Sequence, residues 1–311
     1  MTLTRGAGPV GRLVRLASPG GRTCAAVDLR GGGLHSLTVD GEPLVHTYDP
    51  LGPVPDCAGS VLFPWPNRVR GGRWEHDGTE HQLEVNEPEL GNANHGLVLD
   101  ATFRVDSAGV ESVTVSTVVE PRPGYPFEVS LSTTYTAEAT GLRVDHTIGN
   151  RTAGPAPVAL GTHPYVRVGT VPTQDLCLTI PATRHLPVDA TLIPVRDAAV
   201  DAAVDLRDGQ RLAGRELNTC YHGLEAEGDI YRHTLVAPDG RGVELWTDTS
   251  FAYVQVYVTD TFSDPVHGRT HAIAVEPMTA APDALNSGRG LRWLAPGQSW
   301  ALSWGLRATG W

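Results

Sequence analysis

Two residues of this chain are placed by type and neighbourhood to move protons. His163 precedes a proline in "LGTHPYVRVG", and Glu276 precedes a proline in "HAIAVEPMTAAPDALNSG". An imidazole held at a strand end titrates near neutral pH and can serve as acid or base. Pro164 pushes His163 toward extended backbone. Glu276 closes the apolar run Ile273, Ala274, Val275, which predicts partial burial. Burial and neighbouring charge both shift a carboxyl pKa. Each residue also has a plain structural reading: a satisfied strand-end histidine, and a buried ion pair between Glu276 and an arginine.

Two further stretches carry polar groups beside small or rigid residues. In "GSVLFPWPNRVRGGRW", prolines bracket Trp65, and Asn67 and Arg68 follow. Proline fixes φ and removes a donor, so this segment is stiff and lies outside a regular ladder. It is a good mount for a guanidinium, although exposed arginine is the norm. In "GNANHGLV", His95 sits among asparagine and glycine, residues that tolerate left-handed turns.

Other chemistries find little support. No G-x-S-x-G elbow is present. "HGLEAEGDIYRH" mixes histidines and carboxylates without a recognised metal spacing. "LRGGGLHSL" lacks the G-x-G-x-x-G spacing and reads as a tight turn between strands. The four cysteines are far apart and form no C-x-x-C, so reduced thiols are expected rather than a zinc site or a disulfide framework. No metal and no cofactor is expected.

The elements that must position these residues read as strands. "SVTVSTVVE", "FEVSLSTTYTAE", "LRVDHTIGN", "GVELWTDT", "FAYVQVYVTD" and "SWALSWGLRA" alternate apolar and polar positions, with Gly, Pro, Asn and Asp at the junctions. Only "VRDAAVDAAVDLRDG" (195–209) admits a helical turn or two, and it reads equally as a loop. No βαβ alternation, fixed-period repeat or dividing linker appears. The expectation is an all-β fold, one large antiparallel β-sandwich over residues 1–311 with very little helix. Residues 1–20 are its loosely ordered start or an edge strand.

Bulk properties fit that expectation. The chain has 311 residues, 41% hydrophobic and 19% charged, which suits a globular protein rather than a disordered one. The net charge of −11 argues against nucleic acid as a partner. No apolar run is long enough to span a bilayer. The N-terminal stretch is not a convincing signal peptide, so no membrane association and a cytoplasmic location are expected. Oligomeric state is not legible.

Taken together and in order, the stretches resemble the aldose 1-epimerase (galactose mutarotase) family. "PWPNRVRGGRW", "NANHG", "GTHPYVRVG", "HLPVDATLIPV", "FAYVQVYV", "AVEPMTAAPDALNSG" and "LAPGQSWALSWGL" are similar to its signatures from about Gly31 to Leu306. Each motif is weak alone, and the ordered set is specific. The resemblance implies a galactose mutarotase-like supersandwich, a cofactor-independent isomerase of carbohydrate metabolism, and a small free sugar as partner. Carried across, His163 would be the general acid and Glu276 the general base. His95 and Arg68 would bind sugar oxygens, and Asn67 would position Arg68. Trp65 or Tyr165 could stack on a sugar ring or simply pack in the core.

One position departs from the family. An aspartate that binds sugar hydroxyls is replaced, in "LNTCYHGL", by Asn218, which donates as well as accepts and carries no charge. Asp229 or Asp248 could supply the carboxylate instead. Two alternatives stay open: a hexose-6-phosphate 1-epimerase, for which Arg68, Arg70 and Arg73 would form the phosphate pocket, and a non-catalytic carbohydrate-binding protein on the same scaffold.

Overall fold

A computed structural model describes residues 12–311. Of the start expected over residues 1–20, residues 1–11 lie outside the described residues, and Leu13–Ala17 is an edge strand. Every paired strand among the described residues runs antiparallel to its partner, in sheets of nine, eight and four strands with three two-stranded ribbons. Period two in the sequence becomes two faces in space. Along Val129–Glu138 buried and half-buried residues alternate without a break, so Val129, Leu131, Tyr135 and Ala137 enter the core. One continuous apolar cluster joins the inner faces of the three large sheets, for example Leu16, Leu131 and Val256.

The eight-stranded sheet carries the chemistry-bearing strands. At its centre, Gly268–Met278 pairs with Tyr253–Asp264 on one side. On the other side it meets two fragments, Gly161–Thr162 and Tyr165–Val166. The last seven residues of Gly268–Met278 are all buried, which marks a strand covered on both faces.

Two local expectations are settled by the backbone. Residues 195–209 hold the short strand Ala198–Ala199 and turns, with no helix. Among the described residues the one α-helix is Ala284–Ser287, a single turn inside "PDALNSG", in keeping with the very little helix expected. No helix among them is long and apolar enough to cross a membrane.

Candidate active site

The ladder beside Gly268–Met278 is interrupted at one place. Gly161 pairs with Met278 and Tyr165 with Ala274, so the break at His163 and Pro164 falls opposite Glu276. Pro164 has no N–H to give to a ladder. The backbone of His163 bonds instead to the far side: its N–H donates to Ser60 O at 3.1 Å, and its carbonyl accepts from Gly59 N–H at 2.9 Å. The imidazole is thereby presented to the carboxylate, with His163 Nε2 3.3 Å from Glu276 Oε1.

Both groups are buried, His163 at 5% exposure and Glu276 at 2%. Burial pushes Glu276 up to about 8, against the opposing field of the Arg68 guanidinium. Burial also pushes His163 down to about 4, and Arg68 lowers it further. Both shifts have one cause, the cost of placing charge away from water. Between those values the pair carries one proton in addition to the ordinary N–H of the ring.

The pair is incomplete as a purely structural contact. Glu276 Oε2 and His163 Nδ1 are buried and have no hydrogen-bond partner. His146 shows what a structural histidine looks like in this fold. Its Nδ1 meets Thr133 Oγ1 at 2.9 Å, and its Nε2 accepts from Trp304 Nε1 at 3.0 Å. His46 and His233 also hold buried nitrogens without partners; what sets Glu276 and His163 apart is that both line a cavity, where a ligand or water can reach the open atoms.

Asn67 and His95 hold each other from two facing loops. Both adopt left-handed backbone, φ 57° and 62°. The Asn67 N–H donates to His95 Nδ1 at 3.1 Å, and the His95 N–H donates to Asn67 O at 3.0 Å. A backbone amide can only donate, so His95 Nδ1 is an acceptor and the neutral ring carries its hydrogen on Nε2. Burial, then His163, then Arg68 hold its pKa well below the usual range. His95 therefore enters the cavity as a fixed neutral donor, its ring 5.4 Å from that of His163 and edge-on to it. The following Gly96, φ 79°, has room for no side chain, since a Cβ there would lie 2.2 Å from Phe63 O.

Asn67 Oδ1 accepts from the Arg68 N–H at 2.9 Å, so Asn67 does brace the arginine backbone. The guanidinium is bound by Glu87, which the sequence reading did not single out. The two-pronged contact is described by Nε to Oε2 at 2.8 Å and Nη2 to Oε1 at 2.7 Å. Arg68 O accepts from Asp283 N–H at 2.6 Å. The segment just after Glu276 thus clamps the loop that carries Arg68.

All six sequence-selected residues, Asn67, Arg68, His95, His163, Asn218 and Glu276, line one cavity of about 270 Å³. Asp56, Cys57, Asn94, Tyr165, Leu192, Gln255 and Tyr257 complete its wall. Gln255, directly across the sheet from Glu276, donates through Nε2 to Asn218 Oδ1 at 2.7 Å. Its only signal in the sequence is a polar residue inside the apolar strand "FAYVQVYV". Tyr165 reaches the cavity with a buried hydroxyl that has no partner. Trp65 does not line it: it is 2% exposed and packs near Tyr125, a core residue. Asp229 and Asp248 are also absent from the wall. Asp248 accepts instead from the Ser250 and Ser303 amides.

His95, His163 and Glu276 bring possible metal-ligand atoms within 4.8 Å of one another. Two histidines and a carboxylate are a donor set that zinc uses. The arrangement does not suit one here. A ligating histidine gives its other ring N–H to an acceptor, whereas His95 Nδ1 faces a donor. Its Nε2 keeps a hydrogen where an ion would need a lone pair.

Comparison with known proteins identifies the family. The Aldose 1-epimerase family profile matches residues 12–307. The uncharacterized protein YihR of Escherichia coli K12 is 30% identical over 291 residues, spanning 93% of this chain and 90% of that one. Human galactose mutarotase is 30% identical over 69% of this chain and 66% of its own length. The fold matches that of a GalM/aldose epimerase homologue from C. elegans with a TM-score of 0.83 at 19% identity, covering 96% of this chain and 98% of that one. With its β-supersandwich and a profile match over nearly the whole described chain, this protein belongs to the aldose 1-epimerase family.

Proposed function

We propose that the protein interconverts the α and β anomers of a free aldose. The observation that carries this reading is the buried His163–Glu276 pair, 3.3 Å apart and with unpartnered atoms, in a cavity of monosaccharide scale. A volume of about 270 Å³ lies just below the ~300–1,000 Å³ usual for small-molecule sites.

The chemistry follows from the proton inventory. A hemiacetal opens when a base removes the C1 hydroxyl proton while an acid protonates the ring oxygen. Glu276 takes the first proton and His163, in its protonated form, gives the second. Rotation about C1–C2 then exposes the other carbonyl face, and closure returns both protons. The pair ends each cycle as it began, so no external proton carrier is required. The raised carboxyl and lowered imidazole place the resting pair's one proton on Glu276, so the reactive form, carboxylate beside imidazolium, arises by transfer of that proton to His163 across the 3.3 Å contact. His95, a fixed donor through Nε2, and Arg68, held by Glu87, stabilise charge that develops on the sugar oxygens.

The two other readings are weaker. Arg70 pairs with Asp189 and Arg73 with Gln82, and neither lines the cavity, so a phosphate would meet only Arg68, already bound to Glu87. A purely sugar-binding role gives no reason for a buried pair with opposed pKa shifts. The test is polarimetry on freshly dissolved α-pentoses and α-hexoses, run beside their 6-phosphates. Faster mutarotation of at least one free sugar is expected, with Glu276→Gln slower by about 10²–10⁴-fold. No acceleration across the panel, or an unimpaired Glu276→Gln, would overturn the reading.

A further inference from the structure

Among the described residues the cavity wall holds two carboxyl groups, Glu276 and Asp56. Glu276 belongs to the reacting pair. Asn218, at the position where the family resemblance implies an aspartate, carries no charge, and its Oδ1 already accepts from Gln255 Nε2 at 2.7 Å. Its N–H₂ hydrogens and one neutral lone pair remain for a ligand. Glu87 lies outside the wall and is committed to Arg68. Asp56 is therefore the one carboxylate free to accept from a sugar hydroxyl.

Its setting is built rather than incidental. Asp56 holds left-handed backbone at φ 45°, ψ 39°, and Cys57 follows at φ 56°. Two consecutive non-glycine residues in that region are disfavoured, and such strain gathers at ligand sites. The loop is locked on both sides: Ala58 N–H donates to Pro55 O at 2.8 Å, and Ser60 N–H to Cys57 O at 3.0 Å. Gly59 N–H donates to His163 O at 2.9 Å, which ties Asp56 to the segment that presents the imidazole. Gly59 is pressed so close to the next strand that a Cβ would lie 1.9 Å from Leu34 O. Desolvation raises the Asp56 pKa, and no hydrogen-bond donor or cation counters it. Asp56 is otherwise exposed, so a bound hydroxyl would replace water as its donor.

We propose that Asp56 is a specificity-determining residue, whose carboxylate accepts hydrogen bonds from sugar hydroxyls remote from C1. The proposal rests on the epimerase reading. It accounts for how a site with Asn218 in the acidic position can still select among epimeric aldoses.

The test compares wild type, Asp56→Asn and Asp56→Gly on the best aldose of the panel and its 2-, 3-, 4- and 6-deoxy analogues. Asp56→Gly relieves the left-handed strain, so its Tm should equal or exceed that of wild type. Both variants should raise KM about tenfold with a smaller change in kcat, the cost of one charged hydrogen bond. That penalty should vanish for the deoxy analogue lacking the recognised hydroxyl. An unchanged KM, or an equal penalty on every analogue, would refute the assignment. Sugar affinity is read in parallel by titration. An inactive wild type would then sink the epimerase reading, while the affinity ratio between wild type and Asp56→Asn still decides Asp56.

Discussion

Glu87 grips Arg68 in a fork, the Nε and Nη2 hydrogens of the guanidinium meeting its two carboxylate oxygens at 2.8 and 2.7 Å. Bidentate pairing fixes the plane of the guanidinium as well as its position. Glu87→Ala frees that plane and leaves a half-buried cation without its partner. We expect kcat/KM to fall by up to about 100-fold, the scale of a misplaced positioning group. Glu87→Gln should fall less, because one acceptor oxygen survives. Equal activity of Glu87→Ala and wild type would remove Glu87 from the site.

The rate should follow the proton inventory of the His163–Glu276 pair. One shared proton is present between about 4, where His163 gains a second, and about 8, where Glu276 loses the last. A bell-shaped pH profile of kcat/KM is expected, with its alkaline limb near 8 as a property of the pair. Stopped-flow polarimetry from pH 4 to 10 measures it. A rate that stays flat through pH 9 contradicts the raised carboxyl.

Stability should carry the same signature with a definite sign. Between the ordinary glutamate value near 4.5 and about 8, the folded chain keeps a proton on Glu276 that the unfolded chain releases. Stability from this group is full below the unfolded value and is lost as pH rises through the folded one. Glu276→Gln removes that loss. Its Tm advantage over wild type should therefore grow from pH 5 to pH 8.5. An advantage that shrinks with pH would reverse the sign and refute the burial argument.

Chelator dialysis should leave mutarotation unchanged, because His95 presents a hydrogen where an ion needs a lone pair. Loss of activity in EDTA with recovery on adding Zn²⁺ would replace proton transfer by metal chemistry.

Gly96→Ala forces a methyl to within 2.2 Å of Phe63 O at φ 79°. Strain alone is on the order of 1–3 kcal/mol, and the overlap adds to it. Urea denaturation should show a loss at least this large, together with a drop in kcat/KM as His95 shifts. A stability within about 0.5 kcal/mol of wild type, the range of a neutral surface change, would mean that the loop yields freely.

The strands were legible because half-buried sheets write their two faces into alternate residues, as Val129–Glu138 does without a break. Five of the six candidate residues, Asn67, Arg68, His95, His163 and Glu276, stood out because their stretches depart from that alternation, whereas Asn218 came only from the family resemblance. Asp56, Glu87 and Gln255 did not stand out. A carboxylate in a turn looks the same in sequence whether it faces a cavity or open water. Glu87 acquires meaning only through Arg68, which lies in another loop. Trp65, flanked by prolines in a stretch rich in polar groups, invited a stacking role, but the prolines turn its ring into the core. The one-turn helix Ala284–Ser287 is too short to show a helical period.

His163, in the break between two strand fragments, and Glu276, on the strand beside them, lie far apart along the chain. Neither local turn formation nor any single hairpin brings them together. They meet only when Gly161–Thr162 and Tyr165–Val166 dock against Gly268–Met278, a pairing of high sequence separation and hence slow closure. Recovery of activity after dilution from denaturant therefore reports a long-range pairing, which spectroscopic probes of total strand content average with every other strand.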